Sequence, residues 1–342
     1  MVKLEKDKAF VIFKKPFEKE LNFLSGPWTK TNLSQKPEEG FLLAPFDLNR
    51  NQAYHIQGKS KLISSFPKNI DSFIKIKSSK ASNSKTNFTD LVDKAILNIK
   101  KGDFKKIVLS RFEIQSISKE FALDSYFEKI SAAYPECMVY LIHIPNEACW
   151  FGASPELLGK FTSKNIFQTV ALAGTIKKSD FNNGQNWTEK EIIEQGLVTD
   201  FIIEKIKAFS PKILSTNGPE NVETGELIHL KSKIEAEIAQ NLAMQLVLVL
   251  HPSPAVSGIP QKKAIDYINN KEKYEREFYS GFFGIIEDTD EFEFYVNLRC
   301  MQLLEQEAIL YAGAGITADS DPENEYLETS NKLNALKRHF HA

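Results

Sequence analysis

Two pairs of glutamates carry the most chemically suggestive spacing in the chain. Glu325 and Glu328 lie in "AGAGITADSDPENEYLETSNKL", residues 312–333, and Glu191 and Glu194 lie in "TEKEIIEQ". Each pair is spaced E-x-x-E, which puts both carboxylates on one helix face. Two such faces brought together could share Mg²⁺, a hard cation that takes oxygens at about 2.0–2.1 Å, keeps several waters and needs only one or two direct protein ligands. The plainer reading stands beside this one. Acidic residues favour the positive end of a helix, and Glu328 can pair with Lys332 four residues on.

Other residues stand out singly. Lys106 opens the apolar run "IVLS" and Arg299 sits inside "VNLRC"; such charges either snorkel, pair, or face a site. Glu156 follows a proline in "ASPELL", which forces Ser154 into an extended conformation. It reads equally well as an exposed turn residue. In "GAGI", Gly313, Ala314 and Gly315 let backbone N–H groups approach an anion, but the spacing of a dinucleotide loop is missing and close strand packing is the alternative. Cys137, Cys149 and Cys300 are few, far apart and set among apolar neighbours, so reduced core thiols are expected. The six histidines show no metal-ligand spacing.

These residues must be held by a folded chain. With 342 residues, 42% hydrophobic and 26% charged, the sequence can bury a sizeable core. Its 43 basic and 45 acidic residues nearly cancel, which removes any electrostatic argument for a nucleic acid or anionic membrane partner. The charged N-terminus "MVKLEKDKAFVIFKKPFEKE" lacks a signal-peptide core, and no run of about 18 apolar residues occurs. A cytoplasmic location is expected. No heptad repeat demands association, and a monomer is expected.

The polar stretch "SSKASNSKTN" at 78–87 is the clearest break. Before it, short strands and loops are expected. After it come a helix over "FTDLVDKAILNIKKGDF", a strand at "KKIVLSRFEIQSI", strands at "MVYLIHI" and "ACWFGASPELLGKF", a long amphipathic helix over 188–208 and a second over "EIAQNLAMQLVLVL". Three final runs, "SGFFGIIED", "EFEFYVNLRCMQLL" and "EAILYAGAGI", predict one antiparallel meander. Asp321 and Pro322 predict the N-cap and first position of a last helix. No helix regularly separates parallel strands, so the expectation is α+β. Residues 1–87 are expected to pack on a catalytic region at 88–342 within one structural domain.

Taken in order, "KIVLSR", "GASPELL", "LAGT", "KEIIEQ", "HPSPAVSGIP", "VNLRC", "AGAGI" and "EYLETSNK" closely resemble the chorismate-utilising enzymes, isochorismate synthases in particular, over about residues 88–340. The resemblance implies packed, largely antiparallel sheets ringed by helices, with the active site between the sheets. It implies a Mg²⁺ ion bridging chorismate to Glu194 and Glu328 directly, with Glu191 and Glu325 holding metal-bound water. Arg299 and the backbone at Gly313, Ala314 and Gly315 would meet the enolpyruvyl carboxylate. Gly174, Thr175, His229, Ala255, Val256, Ser257, Gly258, Tyr279 and Lys332 would line the substrate site.

Within that resemblance three positions separate the reactions. Relatives that add ammonia tend to have Gln where this chain has Lys106. Those with a nucleophilic lysine carry it at the position of Ala173, and anthranilate and salicylate synthases usually have Thr at that of Ala255. All three imply reversible isomerisation of chorismate to isochorismate. Lys106 would deprotonate water attacking C2 while Glu156 protonates the departing C4 hydroxyl, which requires a partly neutral Lys106 and a partly protonated Glu156. The product would feed menaquinone or siderophore biosynthesis, and no glutaminase subunit is expected. Gln195, Val256 and Gln261 depart from common family residues. The rivals are a salicylate synthase, which adds pyruvate elimination, and a non-catalytic chorismate-binding relative.

Overall fold

A computed structural model describes residues 4–5, 7–67, 70, 85–118, 121–287 and 291–340. Most of the polar stretch at 78–87 lies outside the described residues. Two nine-stranded sheets, antiparallel at every pairing, make up the architecture, which is the α+β arrangement expected. The first runs in the order β14 (Gly258–Ile259), β7 (Lys106–Ser116), β18 (Glu307–Ile316), β17 (Cys300–Leu303), β9 (Ala148–Ser154), β8 (Met138–Ile144), β1 (Ala9–Lys14), β2 (Leu21–Gly26) and β6 (Lys61–Ile63). The second runs β12 (Leu214–Thr224), β13 (Leu227–Glu237), β11 (Ile166–Lys177), β10 (Leu157–Phe161), β16 (Phe292–Val296), β15 (Phe282–Ile286), β4 (Gly40–Ala44), β5 (Ala53–Gln57) and β3 (Trp28–Thr31). Strands from before residue 64 therefore belong to both sheets.

The sheets face one another across a shared aromatic and aliphatic core. Tyr140 and Trp150 of the first meet Phe41 and Phe283 of the second, with the Tyr140 and Phe283 rings 4.0 Å apart. Strand β8 is buried on both faces, so Met138, Tyr140 and Ile142 point into this core. Val139 and Leu141 point outward under α2 (Leu123–Ala133). That explains its unbroken apolar sequence, since a strand covered on both sides has no polar face to show. The outer face of the second sheet is covered by α4 (Glu189–Lys207) and α5 (Gln240–Leu250). The β7–β18 end of the first sheet is covered by α1 (Lys85–Lys100) and α6 (Gln261–Lys271). Among the described residues no helix is long and apolar enough to cross a membrane.

The three C-terminal runs do not form the single meander expected. The run "EFEFYVNLRCMQLL" breaks at Asn297–Arg299: β16 pairs with β15 in the second sheet, whereas β17 pairs with β18 in the first. Asn297, fully buried, makes the break possible by satisfying the polar groups there. Its amide donates to the Phe278 carbonyl at 2.8 Å and accepts from the Tyr140 hydroxyl at 2.7 Å. The last helix, α7 (Pro322–Lys337), begins as its sequence predicts, with the Asp321 carboxylate accepting from the Asn324 N–H at 2.9 Å.

A buried ion pair fastens the β7 end of the first sheet. Arg276 Nη2 lies 2.6 Å from Glu272 Oε1, and Glu272 also accepts from the Ser110 N–H of β7 at 2.7 Å. The guanidinium's remaining donors hold the carbonyls of Val108 and Val256 at 2.8 Å each. Removing one partner strands a buried charge. Glu272→Ala should therefore cost about 3–5 kcal/mol in urea denaturation. Loss of the exposed Lys212–Glu237 pair should cost under about 1 kcal/mol.

Candidate active site

The site forms where the chain passes from one sheet to the other. Strand β9 ends at Ser154 in the first sheet and β10 begins at Leu157 in the second, so Pro155 and Glu156 lie in the crossing. The return crossing, Asn297–Arg299, runs beside it. The two are bonded to each other through the backbone: Val296 N–H donates to the Glu156 carbonyl at 2.9 Å, and Ala153 N–H donates to the Arg299 carbonyl at 3.0 Å. Arg299 adopts φ +45°, a left-handed conformation that costs energy for a residue with a Cβ and that persists because both neighbours are fixed.

The adjoining cavity holds about 960 Å³ of empty space counted out to its mouth. Glu156 lies in its wall and is 4% exposed. Burial pushes its carboxyl up to about 8, against a smaller downward pull from Lys106 and Lys332. It is protonated at neutral pH, a state suited to donating a proton.

Three lysine–glutamate pairs reach the same cavity through Glu194, Lys190, Glu328 and Lys332, while Lys106 and Glu325 stand behind its lining. Lys106, fully buried at the start of β7, places its ammonium 2.8 Å from Glu194 Oε1. Lys190 lies 2.7 Å from Glu325, and Lys332 lies 2.7 Å from Glu328 while donating to the Gly313 carbonyl at 2.9 Å. Burial works to raise Glu194, but Lys106, Lys190 and Lys332 together hold it below the usual carboxylate range. Glu325 goes the other way: burial and the neighbouring Glu328 raise it despite Lys190. Burial tends to lower Lys190, yet Glu325, Glu328 and Glu194 outweigh it and raise it.

The acidic helix faces thus converge as the sequence suggests, with α4 supplying Glu191 and Glu194 and α7 supplying Glu325 and Glu328. Among the described residues no three His, Cys, Asp or Glu side chains stand close enough together to form a ready metal site. The donor set nonetheless fits a hard dication. Glu325 Oε2 is buried without a hydrogen-bond partner, and the Glu325–Glu328 repulsion is of the kind a cation relieves. Glu191 has a second engagement, since its carboxylate accepts from the Thr188 N–H at 2.9 Å and closes the capping box of α4.

His229 and Arg299 make up the opposite wall. The buried His229 is pushed down to about 3 by burial and by Arg299, so its ring is neutral. Its Nδ1–H donates to the Gly174 carbonyl at 2.9 Å, which leaves Nε2 to accept from Arg299 Nη2 at 3.1 Å. The Gly174 carbonyl is presented at a bulge in β11 between Ala173 and Ile176, where Gly174 takes φ +74°. A neutral histidine there orients the guanidinium without adding charge.

Gly174, Thr175, His229, Ala255, Val256, Tyr279, Arg299, Gly313, Gly315, Glu191, Glu194, Glu328 and Lys332 all line the cavity. Others on the expected list support it from behind. A Cβ on Gly315 would lie 2.4 Å from Glu194 Oε1 and 3.1 Å from the Lys106 side chain, so this glycine makes room for that ion pair. Gly258 packs on the Lys106 carbonyl, Ser257 closes its own loop onto the Pro252 and Ser253 carbonyls, and Ala314 faces the core beneath α1. Gln195 bridges to Thr199 and Ser232 at 2.9 and 2.8 Å, and Gln261 donates to the Pro252 carbonyl at 3.1 Å. Of the cavity residues missed in the sequence, Lys190 is the charged one; Val108, Leu172, Leu227, Leu298 and Tyr311 are apolar or aromatic wall. A lysine in the first turn of a helix runs against the helix dipole, and that was its one local signal.

Comparison with known proteins agrees with this geometry. The family described as chorismate binding enzyme matches residues 41–341. The isochorismate synthase EntC of Escherichia coli K12 is 31% identical over 267 residues, which is 75% of this chain and 67% of that protein. The salicylate biosynthesis isochorismate synthase of Pseudomonas aeruginosa is 30% identical over 72% of this chain and 53% of its own length. The match thus spans about half to two thirds of these relatives. Among solved structures, a putative 2,3-dihydroxybenzoate-specific isochorismate synthase, DhbC, from Bacillus anthracis superposes with a TM-score of 0.82 at 22% identity, covering 99% of this chain and 97% of that one. The menaquinone-specific isochorismate synthase MenF of Escherichia coli gives 0.78 at 23% identity, covering 98% and 89%. The chain belongs to the chorismate-binding enzymes, and within them to the isochorismate synthase family.

The Glu156 environment has a thermodynamic consequence. A carboxyl whose folded pKa is raised to about 8 binds its proton more tightly than the unfolded chain does, so its contribution is fully present at acid pH and is lost as pH rises toward 8. Glu156→Gln should remove this loss. The variant should match the parent near pH 4 and exceed it at pH 9, by on the order of 4 kcal/mol in chemical denaturation.

Proposed function

We propose that the protein is an isochorismate synthase that reversibly isomerises chorismate by adding water at C2 with loss of the C4 hydroxyl. The observation that carries this reading is the protonated Glu156 in the cavity wall, with Lys106 and Lys332 close enough to act on it electrostatically. Glu156 can give a proton, and a lysine that has first shed its own can take one, which is what a displacement of hydroxyl by water requires.

In this reading Arg299, held by His229, binds the enolpyruvyl carboxylate, and the backbone at Gly313 and Gly315 lies alongside it. Glu156 protonates the departing hydroxyl. Lys106 acts as the base only as the neutral amine: its ion pair with Glu194 opens, the ammonium gives its proton to solvent, and the amine then takes the proton of the attacking water. Mg²⁺, held by Glu194 and Glu328 and through water by Glu191 and Glu325, would supply Lewis-acid charge stabilisation at the ring carboxylate. Ala173 and Ala255 leave small apolar surfaces where aminating or lyase relatives carry reactive or polar side chains. In the same reading residues 88–342 carry the catalytic region and 1–87 complete the two sheets.

Lys106→Ala and Glu156→Gln should each lower kcat by about 10²–10⁴-fold while leaving Mg²⁺-dependent chorismate binding in place, measured by calorimetry. Turnover of the parent should fall on the alkaline side as Glu156 loses its proton near pH 8. Near-normal kcat in Lys106→Ala would remove it as the base.

Product analysis separates this reading from its neighbour. Chorismate should give an equilibrium mixture with isochorismate, with no need for ammonia and complete dependence on a chelatable dication. Pyruvate appearing as fast as isochorismate would make the protein a salicylate synthase instead, and full activity after chelation would remove the metal.

A further inference from the structure

A second cavity lies behind Arg299. Arg299 and Leu227 belong to the walls of both cavities, so this one residue pair separates them. The new cavity is edged by α7, which presents two adjacent stripes. Glu328 and Lys332 face the first cavity, while Asn331, Asn334 and Arg338, spaced i, i+3 and i+7, line the second. Lys177, from the end of β11, closes the opposite side.

The charge in this cavity is unbalanced. Lys177, Arg299 and Arg338 face one lining carboxylate, Glu226, which is largely exposed and sits 3.8 Å from Arg338 Nη1. Arg338 Nη2 reaches only the Tyr134 hydroxyl, at 3.3 Å. Arg299 spends Nη2 on His229, but its Nη1 is buried with no hydrogen-bond partner; the weakly accepting Cys137 thiol lies beside it, and the half-buried Glu136 acts on the guanidinium only through its charge. A buried guanidinium donor left unmatched costs free energy that an oxygen acceptor would recover.

We propose that the second cavity binds a compact oxyanion, of the carboxylate or phosphate class, through Arg338, Lys177 and Arg299. Such an anion draws on the guanidinium that also faces the first cavity, so anions in the two cavities oppose one another's binding. The site stands on its own lining, whereas the coupling rests on the substrate proposed above.

The two parts are tested separately. Inorganic phosphate and malonate, each titrated into the whole protein at constant ionic strength without chorismate, should show saturable binding by calorimetry and raise the melting temperature. Binding of one alone fixes the class; binding of both supports the shared chemistry. Arg338→Ala and Lys177→Ala should each weaken it by about tenfold or more, the loss expected for a charge-assisted hydrogen bond. Both variants should turn over normally without the anion. In the parent, the bound anion should raise KM for chorismate and leave kcat unchanged, and the rise should shrink in step with affinity in the variants. No saturable binding to the parent, or undiminished binding in the Arg338→Ala, Lys177→Ala double variant, would overturn the site. Inhibition equal in parent and variants would put the anion in the first cavity and overturn the coupling.

Discussion

Everything around the first cavity depends on two crossings that bond to each other. A chain leaving one sheet for another must satisfy its backbone polar groups in a dry interior, because an unpaired buried N–H or C=O costs about as much as a lost hydrogen bond. Here the outward crossing supplies the Glu156 carbonyl and the return crossing supplies that of Arg299, and each accepts from a residue flanking the other. Glu156 and the Arg299 guanidinium are therefore set at a fixed separation by main-chain bonds alone. Side-chain packing need only orient them, which Ser154, Asn297 and His229 do.

The helices add the charged part of the site. Helices α4 and α7 each contribute one acidic face, and the lysines between them keep buried carboxylates from standing alone. Such pairs contribute little net stability once desolvation is counted. Each instead matches a carboxylate at the cavity with a neighbouring cation. The Glu272–Arg276 pair differs, because its donors are spent on backbone at Val108 and Val256 and on nothing that a ligand could replace.

What was readable in the sequence follows the range of the forces involved. The E-x-x-E spacing on helices, the Asp321 cap and the strand at "MVYLIHI" are local patterns, and all three appear in the structure. The break at Asn297–Arg299 was not readable, since "EFEFYVNLRCMQLL" is rich in strand formers and the choice of a new sheet is made by partners distant in sequence. The protonated state of Glu156 was anticipated only through family resemblance; its physical cause, complete burial at a crossing, belongs to the tertiary fold. Lys190 and the Glu272–Arg276 pair look in sequence like solvated surface charges, and burial alone distinguishes them.

With Glu156 protonated and His229 neutral, the lining of the first cavity carries Lys190, Lys332 and Arg299 against Glu191, Glu194 and Glu328, and behind it Lys106 pairs with Glu194 and Glu325 with Lys190. That is an even tally. Such a cavity has almost no monopole, and its field decays within a few ångströms of the mouth. Such a field does not draw an anion in from solution. Encounter should run at the unsteered rate and respond weakly to added salt, and a visitor that brings its own counter-ion disturbs the balance least.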